Sequence, residues 1–168
     1  MAQSRIREAT TLDDAAVLDL MTEYMTWALA TFERTYGFAM AGDAQHTSAV
    51  LAPFRRPSGL IALAEAEGVP VGVAALRARG DGTVEIKRMF VRPGRRGAHL
   101  GSRLLDWLLE RARDDFRART VRLDSNRFMA EAHRLYASRG FTERPPYEGS
   151  EIPAGLRHLW RFYELHGG

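Results

Sequence analysis

Between Glu85 and Leu105 the chain runs Glu-Ile-Lys-Arg-Met-Phe-Val-Arg-Pro-Gly-Arg-Arg-Gly-Ala-His-Leu-Gly-Ser-Arg-Leu-Leu. No other stretch narrows the fold as much. An apolar strand ends at Pro93, a short loop rich in Gly and Arg follows, and an amphipathic helix begins near Leu100. A loop of this kind at a helix start attracts anions. The first-turn N–H groups lack intrahelical partners, small residues allow close approach, and the helix dipole adds partial positive charge. Arg95 and Arg96 contribute full charges.

The two commonest nucleotide signatures do not fit this loop. A Walker loop ends in Gly-Lys-Ser/Thr, yet the only lysine is Lys87, on the strand before the loop. The dinucleotide fingerprint Gly-x-Gly-x-x-Gly is also missing.

At 168 residues and 45% apolar content, the chain is expected to form one domain spanning residues 1–168. It has no cysteine, which removes disulfides, thiolate metal sites and acyl-cysteine intermediates. The first residues lack the apolar core of a secretion signal, and the longest apolar run, Val69 to Leu76, is too short to span a bilayer. A cytoplasmic protein without membrane contact is the expectation. Net charge is only +3, with 23 arginines and one lysine scattered among 21 acids, so no basic stripe for nucleic acid is expected. The histidines at 46, 99, 133, 158 and 166 lack ligand spacing with carboxylates on one element, so no metal is expected.

Residues Ile6 to Glu8 read as a first strand, and Thr10, Thr11, Asp13 and Asp14 as a helix start. Helical spacing of apolar residues continues to Tyr36, where Gly37 stops it. A second helical piece is expected over Gln45 to Leu51. Leu60 to Glu65 and Val69 to Arg77 form a hairpin hinged at Gly68-Pro70, and the turn Arg79 to Gly82 feeds the strand Thr83 to Val91. The spacing then predicts a helix from Leu100 to about Arg113, a strand at Val121 to Leu123 and a helix from Ala130 to Ser138 stopped by Gly140. A strand opening at Phe141 and a last one over Leu156 to Leu165 complete the pattern. Strands outnumber helices, and the second half alternates β-α-β-α-β, which argues for an α/β fold with a mixed sheet flanked by helices.

The loop resembles the acetyl-CoA-binding motif of the GNAT superfamily of N-acetyltransferases, Arg/Gln-x-x-Gly-x-Gly/Ala after a strand. Arg96 and Gly101 match its ends, while His99 stands at the middle glycine. The substitution is tolerable if the contact is a backbone N–H and φ at 99 is negative. Leu123-Asp124-Ser125-Asn126, Ala132, Leu135-Tyr136 and Gly140-Phe141 resemble the family's second block, in which an Ala-x-x-Leu-Tyr helix precedes a Gly-Phe turn. Met129 stands where many members have an asparagine, a role that Asn126 is expected to take. Motif resemblance covers about residues 84 to 146, and the remainder matches in element order only.

The resemblance implies a central mixed, mostly antiparallel sheet with helices on both faces, and acetyl transfer from acetyl-CoA directly to an amine of a small molecule, amino-acid-like compound or peptide. A non-catalytic CoA-binding regulatory module of the same fold is the alternative, and a homodimer is left open. The donor's pantetheine arm would lie along the backbone of Met89, Phe90 and Val91. Its diphosphate would meet Arg95, Arg96, Gly97, Ala98, His99, Leu100, Gly101 and Ser102, with Arg92 and Arg103 as outer contacts. Tyr136 is the implied general acid, or else a helix tyrosine packed on the sheet. Glu85 is the candidate base, since alternation places it on one face with Lys87 and Met89; ordered water is the other option. Tyr24, Trp27, Phe32 and Tyr36 supply aromatic surface for core or acceptor pocket. Phe38, Tyr147, Glu148 and Glu151 could line a cleft mouth whose acids favour a cationic amine.

Overall fold

The computed structural model describes residues 3–42 and 47–167, with the backbone alone described at residues 96–98. The start of the helical piece expected at Gln45, together with His46, lies outside the described residues. Seven strands form one sheet in the order β1-β2-β3-β4-β5-β7-β6. They are β1 (Ser4–Glu8), β2 (Gly59–Ala66), β3 (Val69–Gly80), β4 (Thr83–Val91), β5 (Thr120–Asn126), β6 (Thr142–Arg144) and β7 (Trp160–His166). Among the described residues only β4 and β5 pair in parallel. Three helices accompany them: α1 (Asp14–Tyr36), α2 (Leu100–Asp114) and α3 (Ala130–Ser138).

Local chemistry sets most boundaries. The Thr10 and Asp13 side chains form a reciprocal capping box that opens a 3₁₀ turn leading into α1. Gly37, at φ 79°, ends α1 by returning its N–H to the Glu33 carbonyl. The two-residue hairpin loops Glu67-Gly68 and Asp81-Gly82 have positive φ at both positions, which matches the twist of their flanking strands. In place of the start of the expected last strand, Ala154–Leu159 forms a 3₁₀ segment after Pro153, and the strand begins at Trp160. Leu156 and Leu159 of that segment pack against the buried Phe32, Tyr147, Trp160 and Phe162.

Both faces of the sheet are covered. Leu60, Ala62 and Ala64 of β2 point to α2 and α3, while Ile61 and Leu63 point to α1. The whole of β2 is therefore buried and reads as an apolar run rather than an alternating one. On α2, Leu100, Leu104, Leu105 and Leu108 are completely buried, each contributing about 1.5–3 kcal/mol through burial. None of the helices among the described residues is long and apolar enough to cross a membrane.

Candidate functional site

The site begins where the sheet comes apart. β4 pairs with β5 only from Thr83 to Glu85, whereas β5 continues along β7 to Asn126. Beyond Glu85 the two parallel strands diverge, and the β4 edge around Met89 and Phe90 faces a fork rather than a neighbouring strand. A bulge accompanies this divergence. Between Val73↔Phe90 and Ala75↔Lys87, β4 holds one residue more than β3, and Arg88 takes a positive φ of 58°. The extra residue breaks the alternation assumed from sequence. Glu85 and Lys87 face the α1 side, but Met89 packs into the cluster under α2 and α3.

A cleft of about 450 Å³ occupies the fork. Tyr24 and Trp27 of α1, Met89, Phe90 and Val91 of β4, and His99, Gly101 and Ser102 at the start of α2 line it. Phe128 to Ala132 and Leu135 close the remaining side. Six of the residues expected from sequence thus meet at one cavity. Leu100 does not join them, because its side chain is fully buried beneath the helix. Gly101 opens directly into space: an added Cβ there would meet nothing within 4 Å. Arg95 has a half-exposed side chain, 4.0 Å from Glu67. The side chains of Arg96, Gly97 and Ala98 lie outside the described residues. Arg92 and Arg103, read as outer contacts, are committed elsewhere. Arg92 donates to both oxygens of Glu23 and to the Pro70 carbonyl, and Arg103 to Ser4.

The condition set on His99 is not met. Its φ is 54°, in the left-handed region, where the chain reverses from the 3₁₀ turn Pro93–Ala98 into α2. This accounts for the glycine usual there: the backbone conformation disfavours any Cβ.

Tyr136 sits on α3, buried against Phe141 and Tyr163, and is not among the residues lining the cleft. Burial raises its hydroxyl well above the ordinary phenol range, with Tyr24, Asp124 and Tyr163 acting in the same direction. Tyr24 lines the cleft itself; burial raises it as well, and its hydroxyl feels Arg88, Asp124 and Lys87. Asn126, at the end of β5, accepts hydrogen bonds at Oδ1 from the Tyr36 hydroxyl (2.8 Å) and the Phe128 N–H (3.2 Å). With Oδ1 so engaged, its buried Nδ2 has no partner among the described residues, an unmet donor beside two cleft-lining residues, Phe128 and Met129.

Glu85 is not among the residues lining the cleft. Its fully buried carboxylate accepts from Arg77 (2.9 Å) and from the Tyr147 hydroxyl (3.3 Å) and lies 3.6 Å from Lys87. Lys87 Nζ bridges to Asp124 on β5 at 3.0 Å and to Glu151 at 3.5 Å. Burial alone would lower the Lys87 ammonium, but Asp124, Glu85 and Glu151 outweigh it and the net shift is upward. Glu151 in turn faces Arg77, Lys87 and Arg88. Of the two acids expected to attract a cationic amine, Glu151 is therefore already neutralised by the protein's own cations. Tyr147 is buried with the Arg122 and Arg144 guanidiniums over its ring, and Phe32 is core. Sequence periodicity treated Tyr24 and Trp27 like Phe32, but only the first two reach the cleft. Among the described residues no group of His, Asp and Glu is arranged to hold a metal ion.

The family model described as Acetyltransferase (GNAT) family matches residues 17–141. The IAA acetyltransferase of Azospirillum brasilense is 34% identical over 96 residues, covering 55% of this chain and 60% of that protein. An uncharacterized N-acetyltransferase of Schizosaccharomyces pombe is 33% identical over 99 residues, covering 58% and 60%. The matches thus span only about 60% of the length of these curated relatives. Among solved structures, an acetyltransferase of Streptococcus agalactiae superposes with a TM-score of 0.74 at 19% identity, over 98% of each chain. The yncA protein of Salmonella typhimurium, solved with its cofactor acetyl-CoA, gives 0.70 at 22% identity over 97% of this chain and 93% of that one. The structural likenesses show a shared fold. With a splayed parallel pair in an otherwise antiparallel sheet, and a family match covering β2 to α3, the chain belongs to the GNAT acetyltransferase family.

Proposed function

We propose that this protein is an acetyl-CoA-dependent N-acetyltransferase that passes the acetyl group directly to an amine. The observation that carries the reading is the fork. An open β4 edge near Met89 and Phe90 suits the amides of a pantetheine arm, which would add there like a further strand. Two features of the cleft fit the donor. Gly101 leaves the α2 N-terminus open to a diphosphate, and the unmet Nδ2 of Asn126 suits a carbonyl oxygen.

Acetyl-CoA supplies an acyl carbon activated as a thioester and a thiol leaving group. The apolar walls formed by Trp27, Met89, Phe128 and Leu135 exclude water from that carbon. Tyr136, kept protonated by burial and carried on the same helix as the cleft-lining Ala132 and Leu135, is the group we assign to hold a proton at Oη for the departing sulfur. Glu85 is already engaged by Arg77 and Tyr147, so water takes the proton lost by the amine.

Calorimetry with millimolar acetyl-CoA and a thiol-release assay test this reading. Tyr136→Phe is expected to bind acetyl-CoA with unchanged heat and to lose turnover by roughly 10²–10⁴-fold, the range for a lost acid. Unchanged turnover removes Tyr136 from the mechanism. Absence of any heat with acetyl-CoA or CoA removes the donor site altogether.

A further inference from the structure

The fork has a second side. With a donor filling the cleft from the α2 and α3 side, the approach left to an acceptor is the α1 side, where Tyr24 and Trp27 line the same cleft. The charges there are unequal: Arg77, Arg79, Lys87 and Arg88 face only Glu85, Asp124 and Glu151, four cations to three carboxylates. The adjoining group leans the same way, with Arg122 and Arg144 sharing Glu164. Arg88 is the least engaged of the four. Its one ion pair is with Glu151 at 3.8 Å, and that carboxylate is also shared with Arg77 at 3.2 Å and Lys87 at 3.5 Å. The bulge holds Arg88 on β4 directly before Met89, which lines the cleft at the fork.

We propose that the acceptor is an amine that also carries a carboxylate, and that the Arg88 guanidinium seats that carboxylate beside the fork. The proposal rests on the acetyl-transfer reading and names its substrate class. A planar guanidinium with uncommitted N–H donors recognises a carboxylate in two-pronged fashion, and the incoming charge completes a cluster one anion short. A cationic diamine or polyamine would find no uncommitted carboxylate among the described residues of this cluster.

The test uses matched acceptors: amino acids with one to five carbons between amine and carboxylate, and the amides of the same compounds. Each is titrated into the CoA-loaded protein by calorimetry and assayed for turnover with acetyl-CoA. At least one acid is expected to exceed its amide by roughly 10- to 100-fold in kcat/KM or affinity, the range for hydrogen bonds to a charged group. Arg88→Gln is expected to erase that preference by raising the acid's KM, while the KM for acetyl-CoA stays put; Arg88→Lys recovers part of it. Equal treatment of acids and amides, a preference for the amides, or silence from the whole panel overturns the proposal. None of these touches the donor reading, which stands or falls on the heat with acetyl-CoA alone.

Discussion

Replacing Lys87 by methionine tests whether the cross-fork ion pair is structural. Lys87 Nζ lies 3.0 Å from Asp124, and the two side chains are only 5% and 8% exposed. Methionine preserves the stem and leaves no large cavity. Glu85 would keep both Arg77 contacts, but Asp124 would be left with only the Tyr147 hydroxyl at 3.4 Å. The loss therefore concentrates on one buried, uncompensated carboxylate, at a cost of about 3–5 kcal/mol. In a chain of 168 residues this corresponds to a Tm drop of roughly 6–20 °C, at about 2–4 °C per kcal/mol. Adding Asp124→Asn removes the stranded charge, and the double variant is expected to regain at least about 1.5 kcal/mol relative to additivity. Urea denaturation of wild type, both single variants and the double at pH 7 measures the cycle. A Lys87→Met loss below about 1 kcal/mol, or a double variant no better than the sum of the singles, refutes the reasoning. Lys87 also crosses the fork two residues past the last β4–β5 backbone partner, Glu85. The KM for acetyl-CoA is expected to rise in Lys87→Met for that reason.

Other positions are equally exposed to test. His99→Gly removes a Cβ from a left-handed residue and is expected to stabilise the fold by about 0.5–1 kcal/mol in urea, whereas His99→Ala should not. Gly59→Ala is expected to cost more than about 2 kcal/mol, because its Cβ would stand 2.3 Å from the Leu76 carbonyl oxygen and 2.7 Å from that of Pro53. A Tm within a degree of wild type would contradict that. Glu65 and Asp13 are both held below the ordinary carboxylate range, chiefly by hydrogen bonds from Arg7. Their folded-state values lie under the unfolded ones, so their contribution is full above about pH 4.3 and drains away as pH falls further. Arg7→Met should therefore lower Tm at pH 7 and flatten its decline between pH 5 and 3; parallel Tm–pH curves would rule this out.

Much of the scaffold is written locally. The strand Thr83–Val91 and the helix Ala130–Ser138 fall where turn residues and apolar spacing put them, since Gly82, Gly140 and the periodicity act within a few residues of themselves. Leu156 to Leu159 have the apolar spacing of the last strand yet form a 3₁₀ segment, because apolar spacing tells that a segment is covered, not by which backbone shape. Arg88 carries no glycine signal for its bulge; its positive φ follows from pairing with β3 on one edge while β5 departs on the other.

The amino-acid order alone determined the Gly- and Arg-rich loop ahead of α2, most of the helix and strand limits, and the tyrosine, glycine and arginine pattern of the family, because each depends on near neighbours or on a short motif. Tertiary structure alone decided which arginines remained available, where Glu85 and Met89 faced, and which α1 aromatics reached the cleft. Those outcomes depend on charge pairs and packing between residues distant in the chain, such as Arg103 with Ser4 and Lys87 with Asp124. Spacing in sequence carries no record of which such partners will meet.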